Sequence, residues 1–132
     1  TRLSGPGGRA VGLAAALACA AGIATLDTFK DERLFERAAE LAPYWEEALH
    51  SLRDARHVID IRNLGLIGGV ELEPRPGKPT QRALETFRAC FEKGVLIRVT
   101  GDIVALSPPL VINKAQIDRI VETIRDVLQQ LE

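Results

Sequence analysis

Few residues of this chain are placed to do chemistry, and Arg98 stands apart from them. It ends the apolar run Val95-Leu96-Ile97 and is followed by Val99-Thr100-Gly101, so a guanidinium is carried to the end of a strand beside a tight turn. Its planar fork of donors matches the two oxygens of a carboxylate, and a sheet end suits such a clamp, although a surface arginine has the same local sequence. Glu71 and Glu73 alternate along one strand, the spacing of a solvated face, and His57, just before a strand, reads as a surface histidine. No G-x-S-x-G, no H-E-x-x-H and no Ser-His-Asp set at an interpretable spacing occurs. Gly5, Gly7, Gly8 and Gly12 hint at a phosphate loop, but Ala10 and Leu13-Ala14 stand where Gly and Lys-Ser would be needed. Cys19 and Cys90 lie far apart without a C-x-x-C, and only His50 and His57 could join them, which excludes a structural zinc site. Both cysteines read as free, buried thiols of a reducing cytoplasm. On residue types alone, no catalytic group, cofactor contact or metal ligand is assigned.

The elements that must position Arg98 follow from composition and periodicity. With 132 residues, 46% apolar and 27% charged, the chain has the balance of one globular domain with a core of its own. Seventeen Lys and Arg against eighteen Asp and Glu leave a net charge of -1, too little positive field to collect nucleic acid or anionic lipid. The uncharged stretch Ala10 to Leu26 could be read as a signal peptide with Ala18-Cys19-Ala20 as its cleavage site. Its Ala-rich composition favours instead a smooth helix buried against a neighbour, and its length is short for a membrane span.

That first helix is expected from about Arg9 to Lys30. Asp31 then caps a second, Glu32 to about Leu52, with Leu34, Phe35, Ala38, Leu41, Trp45, Ala48 and Leu49 on one face and Pro43 expected to kink or divide it. Val58 to Ile61 and Leu66 to Leu72 form a hairpin about Asn63-Leu64-Gly65. An amphipathic helix runs from near Thr80 to Lys93 and stops at Gly94. Val95 to Val99 and Ile103 to Leu106 make a second hairpin. Ser107-Pro108-Pro109 ends it, and Lys114 to Leu131 closes the chain as a helix with Ile117, Ile120, Val121, Ile124 and Leu128 inward. The order gives an α+β fold, a small and mostly antiparallel sheet covered by helices.

Four stretches carry a family resemblance. They are Leu17-Ala18-Cys19-Ala20-Ala21-Gly22 to Leu26-Asp27; Leu34 to Trp45; Asp60-Ile61-Arg62-Asn63-Leu64-Gly65-Leu66-Ile67-Gly68; and Gly94 to Asp102 with Leu106-Ser107-Pro108-Pro109-Leu110. In this order and spacing they resemble the C-terminal small domain of class III, fold-type I aminotransferases, most nearly the omega-amino acid:pyruvate (beta-alanine:pyruvate) group. The resemblance implies an enzyme that uses pyridoxal phosphate to move an amino group from beta-alanine or a related amine to pyruvate, giving L-alanine and a semialdehyde. It implies that Arg98 binds the substrate carboxylate and can swing aside for an apolar group. It implies further a homodimer with active sites at the subunit interface.

The chain departs from that family in two respects. None of Lys30, Lys78, Lys93 and Lys114 lies in the context of the family's Schiff-base lysine. The Thr-Tyr-Ser-Gly-His-Pro type segment that reaches the cofactor phosphate is replaced by Gly12-Leu13-Ala14-Ala15-Ala16, so no cofactor contact is transferred. Residues 1–14 read as an atypical Gly-rich leader, vector-derived or rearranged, and 15–132 as the small domain. The chain lacks any Met and is expected to be a piece of a longer polypeptide, inactive alone and binding no cofactor. Its expected partners are the large pyridoxal-phosphate domain of the same enzyme, further copies of itself, and small amino and keto acids, with no nucleic acid and no membrane. The alternative is a free-standing interaction or carboxylate-sensing module that keeps Arg98 for its ligand.

Overall fold

Seventeen uncharged residues, most of them Ala or aliphatic, favour helix strongly. The computed structural model describes residues 6–132, with side chains from residue 12 onward, and there α1 runs from Pro6 to Asp31. It starts earlier than the pattern predicts, and the expected leader of residues 1–14 falls partly on residues 1–5, outside the described residues. Every residue from Gly12 to Thr28 is exposed, which corrects the expectation of a buried helix. It corrects Cys19 too, which is exposed whereas Cys90 is buried. Gly12–Asp31 is also long and apolar enough to cross a membrane by length and composition, with a mean hydropathy of 1.6.

The chain divides into two compact units, Thr1–Glu36 and Arg37–Glu132. In the first, Arg33 adopts a left-handed conformation at φ 51°, so the break between helices falls there and α2 begins at Leu34 rather than Glu32. Phe35 stays exposed, contrary to the expected face, and its ring meets Phe29 edge-on at 5.3 Å. Helix α2 continues unbroken to His50 with Pro43 inside it. Pro43 lies on the exposed side, where the backbone carbonyl that loses its partner is open to solvent, and the helix runs on through it.

The second unit holds the sheet. A short 3-10 turn, Ser51–Asp54, leads to β1 (Val58–Leu64) and β2 (Ile67–Leu72); α3 spans Gln81–Glu92, β3 Arg98–Thr100, β4 Ile103–Leu106 and α4 Lys114–Gln130. The four strands are antiparallel in the order β1-β2-β4-β3, leaving β1 and β3 at the edges. Val70, Leu72, Val104 and Leu106 point to one face, where they close a core with Trp45, Leu49, Ile117, Ile124 and Leu128. Each large apolar side chain buried in this way contributes about 1.5–3 kcal/mol, and the alternation of the strands sends the intervening residues to the opposite face. Gly94, at φ 79°, ends α3 as expected. The β3–β4 turn is tied to the start of α3, where the Thr80 N–H donates to Asp102 Oδ1 at 2.8 Å. Helix α4 starts with a capping box between Asn113 and Gln116.

Gly68 is required by packing. A Cβ there would sit 2.5 Å from Leu49 Cδ2 and 3.3 Å from Trp45 Cζ2, so the missing side chain is what lets α2 lie on the sheet. His57 departs from its expected place, with a side chain only 10% exposed, its ring against the Leu131 carbonyl at 3.3 Å and its backbone at φ 69°. The closing segment of the chain covers it, a long-range contact that local sequence does not announce.

Candidate functional site

Arg98 opens β3, and the ladders fix which way it faces. Arg62, Gly69, Ala105 and Arg98 lie in one row across all four strands, through the pairs Arg62–Gly69, Gly69–Ala105 and Ala105–Arg98. Val70, Val99 and Val104 form the next row and turn to the core side, so Arg98 stands on the face away from the core. It is exposed and forms no ion pair or hydrogen bond through its side chain with any described residue. At the other end of the row Arg62 is already engaged, at 2.5 Å from Asp60 and 2.8 Å from Glu71, and these two carboxylates hold its proton more firmly than usual. Glu71 is thus an ion-pair partner rather than a merely solvated carboxylate, while Glu73 remains exposed.

Beside β3 the chain forms an open cleft of about 680 Å³. Val95, Ile97, Leu106, Ile112 and Trp45 give it an apolar floor, with Arg98, Ser107, Gln116 and Arg119 around it. A small number of polar groups around a concave apolar surface is the usual make-up of a binding site. Trp45 is fully buried, and its Nε1 hydrogen has no acceptor among the described residues. Arg119 serves the structure instead, for its Nη2 lies 3.5 Å from the Lys93 carbonyl, packed over Gly94 at the end of α3. A cation there complements the exposed carbonyls of the helix terminus. Arg98 is therefore the cation of this cleft without such an engagement among the described residues. The pattern singled it out; Trp45, Gln116 and Arg119 were missed, because only the folding of α2 and α4 onto the β3 edge brings them there.

The lysines do not come together as a cofactor seat. None lines the cleft, Lys30, Lys78 and Lys93 are exposed, and Lys114 Nζ rests 4.6 Å above the Tyr44 ring. No carboxylate lines the cleft either, so it offers no amine to bond an aldehyde cofactor and no acid to hold a pyridine nitrogen. These residues do not fit pyridoxal phosphate. Among the described residues no group of His, Cys, Asp and Glu could hold a metal ion. Cys90 is not a nucleophile in waiting: burial pushes its thiol up to about 11, against a smaller opposing effect of Lys93. A second hollow beside Tyr44 is occupied by a structural tie, the phenol donating to Asp118 Oδ1 at 2.6 Å, which with desolvation raises its pKa.

Comparison with known proteins places these features in context. The family model for aminotransferase class III matches residues 10–128. An omega-aminotransferase of Caulobacter vibrioides is 66% identical over 116 residues, which cover 88% of this chain and 26% of that protein. A beta-alanine–pyruvate aminotransferase of Pseudomonas aeruginosa is 38% identical over 112 residues, covering 85% and 25%. Among solved structures, a transaminase with L-alanine superposes with a TM-score of 0.77 at 28% identity, over 82% of this chain and 27% of that one. A thermostable omega transaminase mutant from Pseudomonas jessenii gives 0.74 at 29%, over 80% and 25%. The chain spans about a quarter of the length of the curated relatives it matches.

Proposed function

Because this chain belongs to the class III aminotransferase family, we propose that its residues 15–132 are the C-terminal small domain of a pyridoxal-phosphate-dependent omega-amino acid:pyruvate aminotransferase, in which Arg98 binds the substrate carboxylate. The observation that carries this reading is Arg98 itself, a guanidinium without an engaged partner among the described residues, at the mouth of an apolar cleft on an edge strand. Its direct neighbour in the row across the sheet is the small Ala105, which puts no bulk beside the guanidinium, so a carboxylate can approach the fork in its own plane. The cofactor and the lysine that bonds it belong to the large domain supplied by the rest of the polypeptide. The exposed side of α1 is covered by that domain or by a second copy of the enzyme, not by a membrane. Two unpaired cysteines suit a cytoplasmic enzyme.

The test is a chimera in which the 116 aligned residues replace their counterpart in the C. vibrioides relative. It should transaminate beta-alanine with pyruvate. In Arg98→Ala the loss of two charge-assisted hydrogen bonds, about 2–3 kcal/mol, lowers kcat/KM for beta-alanine roughly 30- to 150-fold. For propylamine, which lacks the carboxylate, kcat/KM stays unchanged. Equal losses on both substrates would remove the carboxylate role. Saturable binding of beta-alanine or pyruvate by the isolated 132-residue chain, abolished in Arg98→Ala, would favour a free-standing sensing module instead.

A further inference from the structure

The two edges of the sheet are built differently. Along β1 the register shifts between Val58 and Asp60, and Asp60 and Arg62 place charges along the strand. Bulges and charges are the devices by which an exposed edge avoids pairing with another strand. The β3 edge pairs with β4 without a register shift, and the one charge it carries is Arg98. Val95, Leu96 and Ile97 lead into it as extended chain, and among them only the Val95 N–H has a backbone partner, the Cys90 carbonyl. Leu96 and Ile97 make no backbone hydrogen bond to another described residue, although the Ile97 side chain is only 5% exposed. Backbone groups left free beside a buried side chain are costly unless something pairs with them.

Register shows which groups face outward. The Leu72 N–H donates to the Asp102 carbonyl, so Val70 and Val104 exchange hydrogen bonds across β2 and β4, and Ile103 and Ala105 turn their backbone groups to β3. Their partners Thr100 and Arg98 point back to β4, which leaves Val99 and, two residues earlier, Ile97 directing N–H and C=O away from the sheet. Beside this row lies the cleft floored by Trp45, Ile112 and Ile120, where alternate side chains of a neighbouring strand would be buried.

We propose that the β3 edge is completed by an added strand, an extended segment with apolar inward residues from the three quarters of the enzyme that lies outside this chain, pairing with the backbone of Ile97 and Val99. The inference rests on the proposed function for its occupant, since the relatives are about four times as long as the matched region. Strand addition takes its affinity from main-chain bonds and its specificity from pockets for alternate side chains, and this edge offers both. It also gives Arg98 a defined position, because a strand held on both sides fixes the residue between Ile97 and Val99.

Amide hydrogen exchange in the 132-residue chain and in the chimera with the C. vibrioides relative tests this separately from activity. In the chain alone the Ile97 and Val99 amides should exchange at close to the rate of unstructured peptide; in the chimera both should slow by about 100-fold or more, while Leu96, facing the other way, stays fast. An active chimera whose Ile97 and Val99 amides remain fast overturns the added strand and leaves the proposed function standing. An inactive chimera that protects them keeps the strand and overturns the function. Protection in the chain alone that rises with concentration assigns the edge to a second copy and overturns the proposal. Should the chimera not fold, the C. vibrioides enzyme at the positions aligned with 97 and 99 gives the same decision.

Discussion

Gly68→Ala is the substitution from which the packing of the site is best tested. The new Cβ would lie 2.5 Å from Leu49 Cδ2, where ordinary contacts begin near 3.4 Å, and 3.3 and 3.4 Å from Trp45 Cζ2 and Nε1. Leu49 and Trp45 are both fully buried, so an overlap of about 1 Å has no open space into which to relax. Overpacking of this kind costs about 2–3 kcal/mol, near the upper part of its usual range. For a domain of this size that is a fall in Tm of roughly 3–6 °C per kcal/mol, read by thermal unfolding followed by circular dichroism. A double-mutant cycle with Leu49→Ala isolates the cause. Leu49→Ala alone costs about 2–5 kcal/mol through its cavity. In that background Gly68→Ala fills space and should cost less than about 1 kcal/mol, a coupling of more than about 1 kcal/mol between the sites. Because Trp45 floors the cleft beside Arg98, its indole fluorescence should shift in Gly68→Ala and return toward the original in the double variant. Stability within about 0.5 kcal/mol of the parent, or strictly additive losses, would refute the account of how α2 lies on the sheet.

Other outcomes follow from single features. Asn113→Ala removes the capping box of α4 and should lower stability by about 1 kcal/mol in urea titration, whereas Asn113→Ser retains most of it. Native protein should give one equivalent of rapid thiol reaction, at Cys19, with the second appearing only on unfolding. Because the folded state holds the Cys90 proton up to about 11 while the unfolded chain releases it near the ordinary value of 9.0, stability should fall as pH rises from 9 to 11, and Cys90→Ala should flatten that slope. Incubation of the 132-residue chain with pyridoxal phosphate followed by borohydride should leave no stoichiometric adduct at any lysine; a single fully labelled lysine would show that the chain holds a cofactor seat of its own.

Much of this domain was legible without coordinates. Helical periodicity located α2, α3 and α4, Gly94 stopped α3 at the expected position, and α4 opens at Lys114 as expected. These are local matters, decided by side-chain spacing and capping chemistry within a few residues. Boundaries were less legible where a turn competes with a cap: Asp31 stayed in α1 because Arg33 took the left-handed conformation, and Val95 to Ile97 extend without pairing because no neighbouring strand among the described residues reaches them. Arg98 could be singled out as a carboxylate clamp from its place at the end of an apolar run, but nothing local separates such a clamp from an ordinary surface arginine.

The burial of His57 under Leu131, the capture of Arg62 by Asp60 and Glu71, and the turning of Arg119 to the end of α3 were tertiary decisions. Apart from Asp60, which lies two residues from Arg62 on the same strand, each partner is brought in by the register of the strands or by where a distant segment lands, and these contacts leave no trace in local composition. Of the two arginines of the cleft, Arg119 is engaged in this way and Arg98 has no side-chain partner among the described residues. Sequence by itself determined the elements, the family likeness and the presence of a guanidinium at a strand end. Only the tertiary structure decided that its strand is an edge, because an edge is defined by which strand is absent beside it, and no stretch of sequence specifies that locally.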